Sequence, residues 1–243
     1  MKKIAITLLL LVSTITYGQE KVKLRLNYNK GDQYQTHMVV KQDMGIMKMD
    51  MEMKMDMEVE TIKGNTYDTK SKITYVATDV DQGGQKVSYN SNMKEAELTP
   101  MAKQFATRMT PMLKTTFYVN LDKLGKSTLI KLEPKDVGAL NLKDQMSAVT
   151  FPNEAVSVGS TWDNIQKNNN VEMKLTYTVT EITKTTIKAS IVGTMSSLPD
   201  AKIWGSILIN KKTGVTTDTN LNMEFETMGQ KMKSSTEVTV RKM

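Results

Sequence analysis

Cysteine is absent from the 243 residues, and histidine occurs once, at position 37. Without cysteine the chain can form no disulfide, offers no thiolate nucleophile, and lacks the thiol on which a bacterial lipoprotein is acylated. A lone histidine leaves little for acid–base relays, and neither a nucleophile-elbow glycine pattern nor a phosphate-cradling loop is present. Asp122, Glu133, Asp136 and Asp144 lie outside the clearest alternating segments, but their spacing does not require a shared site. This inventory points to a protein that binds rather than catalyses, with no cofactor.

Long apolar runs are also missing. The longest, Ile4–Ile15, follows Lys2 and Lys3 and precedes the small-residue exit Thr16-Tyr17-Gly18. At about twelve residues it falls short of the about 20 that span a bilayer, and it has the layout of a cleavable signal peptide, residues 1–18, cut after Gly18. The expected mature chain, Gln19–Met243, is periplasmic or secreted, has no transmembrane segment and forms a single β-rich domain. Its roughly 225 residues suffice to bury a core without covalent staples.

Removing Lys2 and Lys3 lowers the net charge from +7 to +5. The lysines are scattered along alternating patterns rather than clustered, so they read as solvated strand faces and not as a nucleic-acid surface.

What the sequence has in abundance is methionine, 20 in all. The stretch MKMDMEMKMDM places Met47, Met49, Met51, Met53, Met55 and Met57 on odd positions and a charge on every even position between them. Period two puts all six on one face of a strand, whereas on a helix they would wrap every side. Val59 and Thr61 extend the same face. Upstream, Tyr34, Thr36, Met38, Val40 and Met44 fall on even positions, and a hairpin turn at Asp43-Met44-Gly45 lets both strands present methionine inward.

The same style continues along the chain. Thr69–Thr78 alternates Ser71, Ile73, Tyr75 and Ala77 with polar residues, and Asp81-Gln-Gly-Gly84 turns it toward a strand at Lys86–Ser91. Further strands are expected at 116–121, 127–132, 171–182, 186–194, 201–210, 215–226 and 231–241, joined by short polar or glycine-bearing turns. One segment differs. Thr99-Pro100 suits an N-cap and first helical position, and Met101, Phe105, Met109, Met112 and Leu113 recur at helical spacing, predicting one main amphipathic helix over 99–114 that Pro111 kinks or shortens. A weaker helical turn is expected within Pro134–Met146. Trp162 and Trp204 both read as core anchors.

Short segments also match one another in order. Lys30-Gly-Asp-Gln-Tyr34 pairs with Val158-Gly-Ser-Thr-Trp162, each a glycine three residues before a large aromatic. Glu58-Val-Glu-Thr-Ile62 then Lys72-Ile-Thr-Tyr75 pair with Thr178-Val-Thr-Glu-Ile182 then Lys188-Ala-Ser-Ile191. Tyr118–Asp122 with Gly125 pairs with Ile207–Asn210 with Gly214. Two related halves, 21–150 and 151–243, are the reading this suggests. The fold class expected is mainly β, with long antiparallel strands forming a curved sheet or half-barrel.

The leader, Gly31-Asp-Gln-Tyr34, the methionine hairpin, Phe151-Pro152, Val158-Gly-Ser-Thr-Trp162 and Lys212-Thr-Gly214, in that order, resemble an uncharacterised family of exported proteins from flavobacteria-like Gram-negative bacteria. The resemblance spans nearly the whole mature chain and implies a domain without an assigned activity or catalytic residues. More distantly, long antiparallel strands curved around a helix are similar to the outer-membrane lipoprotein carriers, whose half-barrels hold acyl chains; this is an analogy of fold.

The methionine row admits three readings. Met47, Met49, Met51, Met53, Met55 and Met57 line a face that carries a lipid or other hydrophobic molecule, because unbranched thioethers adapt to irregular partners. Alternatively they fill an ordinary core, in a structural or interaction protein. A third possibility is a Cu(I) site drawing on His37, Met38, Met47, Met49 and Met51, although side chains two apart on a strand are about 6.7 Å apart and must converge to share a metal. An exposed sheet edge would also suit strand addition by another exported protein.

Overall fold

A computed structural model of the chain describes residues 20–135, 149–168, 171–227 and 229–243. The expected signal peptide, Asp136, Asp144 and most of the helical turn expected within Pro134–Met146 lie outside these residues.

The described chain folds as β1 (Gln33–Asp43), β2 (Met47–Lys63), β3 (Thr66–Gln82), β4 (Gln85–Asn90), α1 (Pro100–Lys114), β5 (Thr116–Asp122), β6 (Ser127–Glu133), β7 (Thr161–Asn168), β8 (Val171–Ile182), β9 (Thr186–Met195), β10 (Leu198–Asn210), β11 (Thr216–Thr227) and β12 (Gln230–Lys242). All twelve strands join one curved, unclosed antiparallel sheet in the order β6-β5-β3-β2-β1-β12-β11-β10-β9-β8-β7, with β4 against the far part of β3. The fold is thus mainly β with one helix, as the periodicity predicts. The first half of the chain meanders outward from the middle to one edge and the second half meanders inward from the other edge, so the first and last strands pair in the middle, Met38 opposite Val238.

Thr99 caps α1 by accepting the Ala102 amide at 3.2 Å, and Pro100 occupies the first turn, where no amide donor is needed. Replacing Thr99 with alanine is expected to cost about 1 kcal/mol and to speed amide exchange at the start of α1 in hydrogen-exchange mass spectrometry. Pro111 does not shorten the helix, which continues to Lys114. Its buried contact also differs from expectation: Ala102 is fully buried while Met101 is exposed, and Met109, Met112 and Leu113 complete the packed side. The helix packs on β3 and β4, bridging the point where β3 exchanges β4 for β5.

Two bulges reset which residues face the core. Lys54 pairs with Tyr75 but Met55 with Ile73, leaving Thr74 as an extra residue in β3. Beyond it the faces exchange, so Val76 and Thr78 are buried in place of the expected Tyr75 and Ala77. Tyr75 instead lies on the solvent side, its ring 5.2 Å from the Lys54 ammonium. In β2, Val59 pairs with Thr69 and Thr61 with Asp68, so Glu60 is the extra residue. Thr61 therefore leaves the methionine face and donates its hydroxyl to Asp68 at 3.0 Å.

The core gathers at one end of the sheet, where Val59, Tyr67, Val179, Ile187, Ala189, Ile207 and Ile209 are buried and Leu24 and Leu26 of the segment before β1 lie across them. That segment is pinned by backbone bonds from Leu26 to Lys123, from Asn27 to Thr213 and between Val22 and Val156.

Candidate functional site

The six methionines sit where their parity places them. Across the β1–β2 hairpin Met57 is opposite Tyr34, Met55 opposite Thr36, Met53 opposite Met38, Met51 opposite Val40 and Met49 opposite Gln42. Continuing across the seam, Met38 meets Val238, Val40 meets Thr236 and Gln42 meets Ser234, and these in turn meet Thr219, Leu221 and Met223. The turn between β1 and β2 closes with the Met44 amide on Met47 at 2.8 Å and the Gly45 amide on the Asp43 carboxylate at 3.0 Å.

None of the six is fully buried. All six are partly buried; Met53, Met55 and Met57 pack against the core, whereas Met47, Met49 and Met51 continue the same face outside that cluster. One strand face thus runs from methionines packed against the core to methionines outside it. Sequence periodicity gives the face but not this division, which depends on where the N-terminal segment and α1 lie.

The opposite face is a lattice of charge. His37 stands there and not with Met38: its ring nitrogen lies 2.8 Å from Glu52, which also receives Lys54 at 3.5 Å. The residues considered for copper are therefore divided, with Met38, Met47, Met49 and Met51 on one side of the sheet and His37 on the other. Among the described residues no group of three or more histidine, aspartate or glutamate side chains is arranged to hold a metal ion.

The isolated acids are occupied locally. Asp122 accepts the amides of Leu124 at 2.8 Å and Lys126 at 2.9 Å, closing the β5–β6 turn. Glu133 takes Lys131 at 2.6 Å and the Tyr118 hydroxyl at 3.0 Å, and these two donors hold its carboxyl below the ordinary carboxylate range.

The paired sequence segments carry the same hydrogen bonds. The Gly31 amide donates to Val59 at 2.8 Å and the Val59 amide to Asp32 at 2.9 Å; the Gly159 amide donates to Val179 at 2.8 Å and the Val179 amide to Ser160 at 2.9 Å. The side-chain oxygen of Asp32 accepts the Asn29 amide at 3.0 Å, and that of Ser160 accepts the Ser157 amide at 2.9 Å. Val59 and Val179 are both buried beside a bulge, and Tyr34 and Trp162 are both buried at the strand starts. Lys123 and Lys211 repeat a further contact, their backbone amides donating to Asn65 and Thr185. The second part of the second pairing is out of step: Val59 faces Thr69 and Val179 faces Ala189, so Lys72 and Lys188 are not equivalent, the echo being four residues off.

Of the two tryptophans, Trp162 is a core residue stacked on Tyr177 at 5.0 Å. Burial pushes the Tyr177 hydroxyl up to about 12. Trp204 differs from expectation: it projects from the charged face of β10 and is 41% exposed. Its even-numbered position, opposite in parity to buried Ile203 and Ile207, marks it as outward once β10 is aligned.

No helix of the described residues is long and apolar enough to cross a membrane. No family model and no curated protein matches the chain. Among solved structures it is similar to a DUF1329 family protein from Desulfovibrio piger, with 6% identity, 88% of this chain and 87% of that chain covered, and a TM-score of 0.24.

Proposed function

We propose that the chain is an exported, non-catalytic binding protein that holds a lipid acyl chain or a similar elongated hydrophobic molecule along the outer part of its methionine face. The observation behind this reading is the division of the row, with Met53, Met55 and Met57 packed against the core and Met47, Met49 and Met51, also only partly buried, continuing the same face outside that cluster. Val40, opposite Met51 and likewise outside the core cluster, widens this part into β1. Thioether side chains conform to a flexible partner at little cost in strain, and apolar surface that stays in water gains about 25 cal/mol per Å² when a ligand covers it.

Native mass spectrometry of Gln19–Met243 purified from its own host tests the reading, together with displacement of a fluorescent fatty acid. A heterogeneous lipid-sized adduct that organic extraction removes is expected. Met49→Lys with Met51→Lys should weaken fatty-acid binding by about tenfold or more, because two ammonium groups replace apolar contacts, while the melting temperature changes little. Leucine at Met49, Met51 and Met53 should leave lipid binding nearly intact. A bare chain mass together with no fatty-acid binding overturns the proposal, and a copper adduct lost in the leucine variant replaces it with a thioether metal site.

A further inference from the structure

On the charged face, remote in chemistry from the methionines, β2, β1, β12, β11 and β10 floor a shallow trough of about 290 Å³ with Trp204 at its rim. One cross-strand row of the trough reads Asp50, Lys41, Ser235, Asn222, Trp204. The adjacent row reads Lys48, Asp43, Lys233, Glu224, with Lys48 3.7 Å from Asp43 and Lys233 3.4 Å from Glu224. At about 4.8 Å between strands, the first row crosses about 19 Å and the second about 14 Å.

We infer that this trough is a binding site for a neutral oligosaccharide, stacked on Trp204 and hydrogen-bonded along the row from Asn222 to Asp50. Three features of the trough select that chemistry. Its lysines, 41, 48 and 233, are matched in number by Asp43, Asp50 and Glu224, so it offers neither the unpaired positive charge that phosphate- or sulfate-rich polymers require nor a sink for cations. Both rows carry polar side chains at every position apart from Trp204, and the aliphatic stems, Met223 and the indole leave apolar surface between the hydrogen-bonding heads, so the trough offers both kinds of contact side by side. The half-exposed indole, extended by the exposed Val192 opposite it on β9, is a flat platform that a soluble protein gains nothing by displaying to water. A sugar ring meets all three conditions: its C–H face carries slight positive charge onto the negative π-face of the indole, and its hydroxyls both donate to carboxylate and amide oxygens and accept from ammonium and amide groups. A trough this shallow binds weakly, at about millimolar dissociation constants.

The test is titration of the full mature protein with five neutral probes, the hexasaccharides of cellulose, xylan, mannan, chitin and amylose, with a heparin hexasaccharide as the anionic comparison. Tryptophan emission and saturation-transfer NMR provide the readouts. At least one neutral probe should shift the emission of the exposed tryptophan; in saturation-transfer NMR, which does not depend on that fluorophore, Trp204→Ala should abolish binding of the same probe, Trp204→Tyr should restore part of it, and Asn222→Ala should weaken it several-fold. Because Trp204 is on the surface, its variants should keep the parent melting temperature. The Met49→Lys, Met51→Lys variant should bind the same probe undiminished, which separates this site from the methionine face. Silence from all five neutral probes, equal binding by Trp204→Ala, or preference for the heparin hexasaccharide overturns the assignment.

Discussion

Gly214→Ala is expected to lower the stability of the protein by roughly 2–6 kcal/mol, seen as a fall of roughly 5–20 °C in melting temperature. Gly214 ends the turn between β10 and β11 with φ at +68°, a conformation that costs a side chain about 1–3 kcal/mol. The larger difficulty is space. A Cβ placed there would lie 2.0 Å from the backbone oxygen of Arg25 and 2.5 Å from its carbonyl carbon. No rotamer change relieves a clash with backbone, so either the turn or the segment carrying Leu24 and Leu26 across the core must shift. Both are tied in place, since Asn27 donates to Thr213 at 2.8 Å and Arg25 holds the carbonyls of Pro152 and Asn153 at 2.8 and 2.7 Å. Gly64→Ala is the control. Gly64 also has positive φ, +58°, but a Cβ there meets nothing within 4 Å, so only the backbone strain of about 1 kcal/mol is expected. Equal losses in the two variants would show that the packing of the N-terminal segment against the turn contributes nothing.

Asp32→Ala should cost about 1–3 kcal/mol and flatten the acid limb of the stability curve, measured as urea midpoints between pH 2 and 7. Asp32 is 8% exposed, and its carboxylate accepts the Asn29 amide at 3.0 Å, the Tyr34 hydroxyl at 3.4 Å and Lys242 at 2.6 Å. Lys242 is half in solvent, so screening leaves the ion pair a minor share; the unsatisfied amide and hydroxyl account for most of the loss. Burial by itself raises the Asp32 carboxyl, but the Asn29 amide and Lys242 outweigh it and hold the group below its ordinary 3.8. A depressed value in the folded state means that the contribution is complete above the unfolded value and is lost as pH falls through the folded one. Wild type should therefore weaken at the acid end of the range more steeply than the variant. Beside it, burial and then the Asp32 charge push the Tyr34 hydroxyl up to about 12. Ser160→Ala removes the matching cap of the second turn, which is uncharged, and should cost about 1 kcal/mol with no change in pH profile. A flat wild-type curve below pH 4 would contradict the role given to Asp32.

The contrast between Asp32 and Ser160 also shows how far the sequence can be read. The glycine and aromatic of each motif mark the two strand starts, and the structure gives both the same backbone bonds. The alignment of the strands beyond them is not legible, because a bulge adds one residue and the hairpins differ in length, and period-two patterns look alike after any even shift. For the same reason Val76 and Thr78 take the buried places that alternation assigns to Tyr75 and Ala77. A single extra residue, Thr74, reverses every face beyond it, and nothing in its chemistry announces that it is unpaired. Trp204 departs from its expected place because a large aromatic in a strand is usually core, whereas only the parity of β10 against buried Ile203 and Ile207 reveals its side.

Alternation along the chain determined the strands, the hairpin of methionines and the separation of thioethers from charges, since side-chain direction in a strand is fixed by residue parity alone. It also separated His37 from the methionines in principle, being odd where Met38 is even in β1. What only the tertiary structure decided is which part of each face is covered. The pairing of β1 with β12 brings together residues some 200 apart, and the path of residues 20–29 fills one end of the sheet while Met47, Met49 and Met51 stay outside the core cluster at the other. Burial depends on which distant segment arrives to exclude water, and no local pattern encodes that arrival.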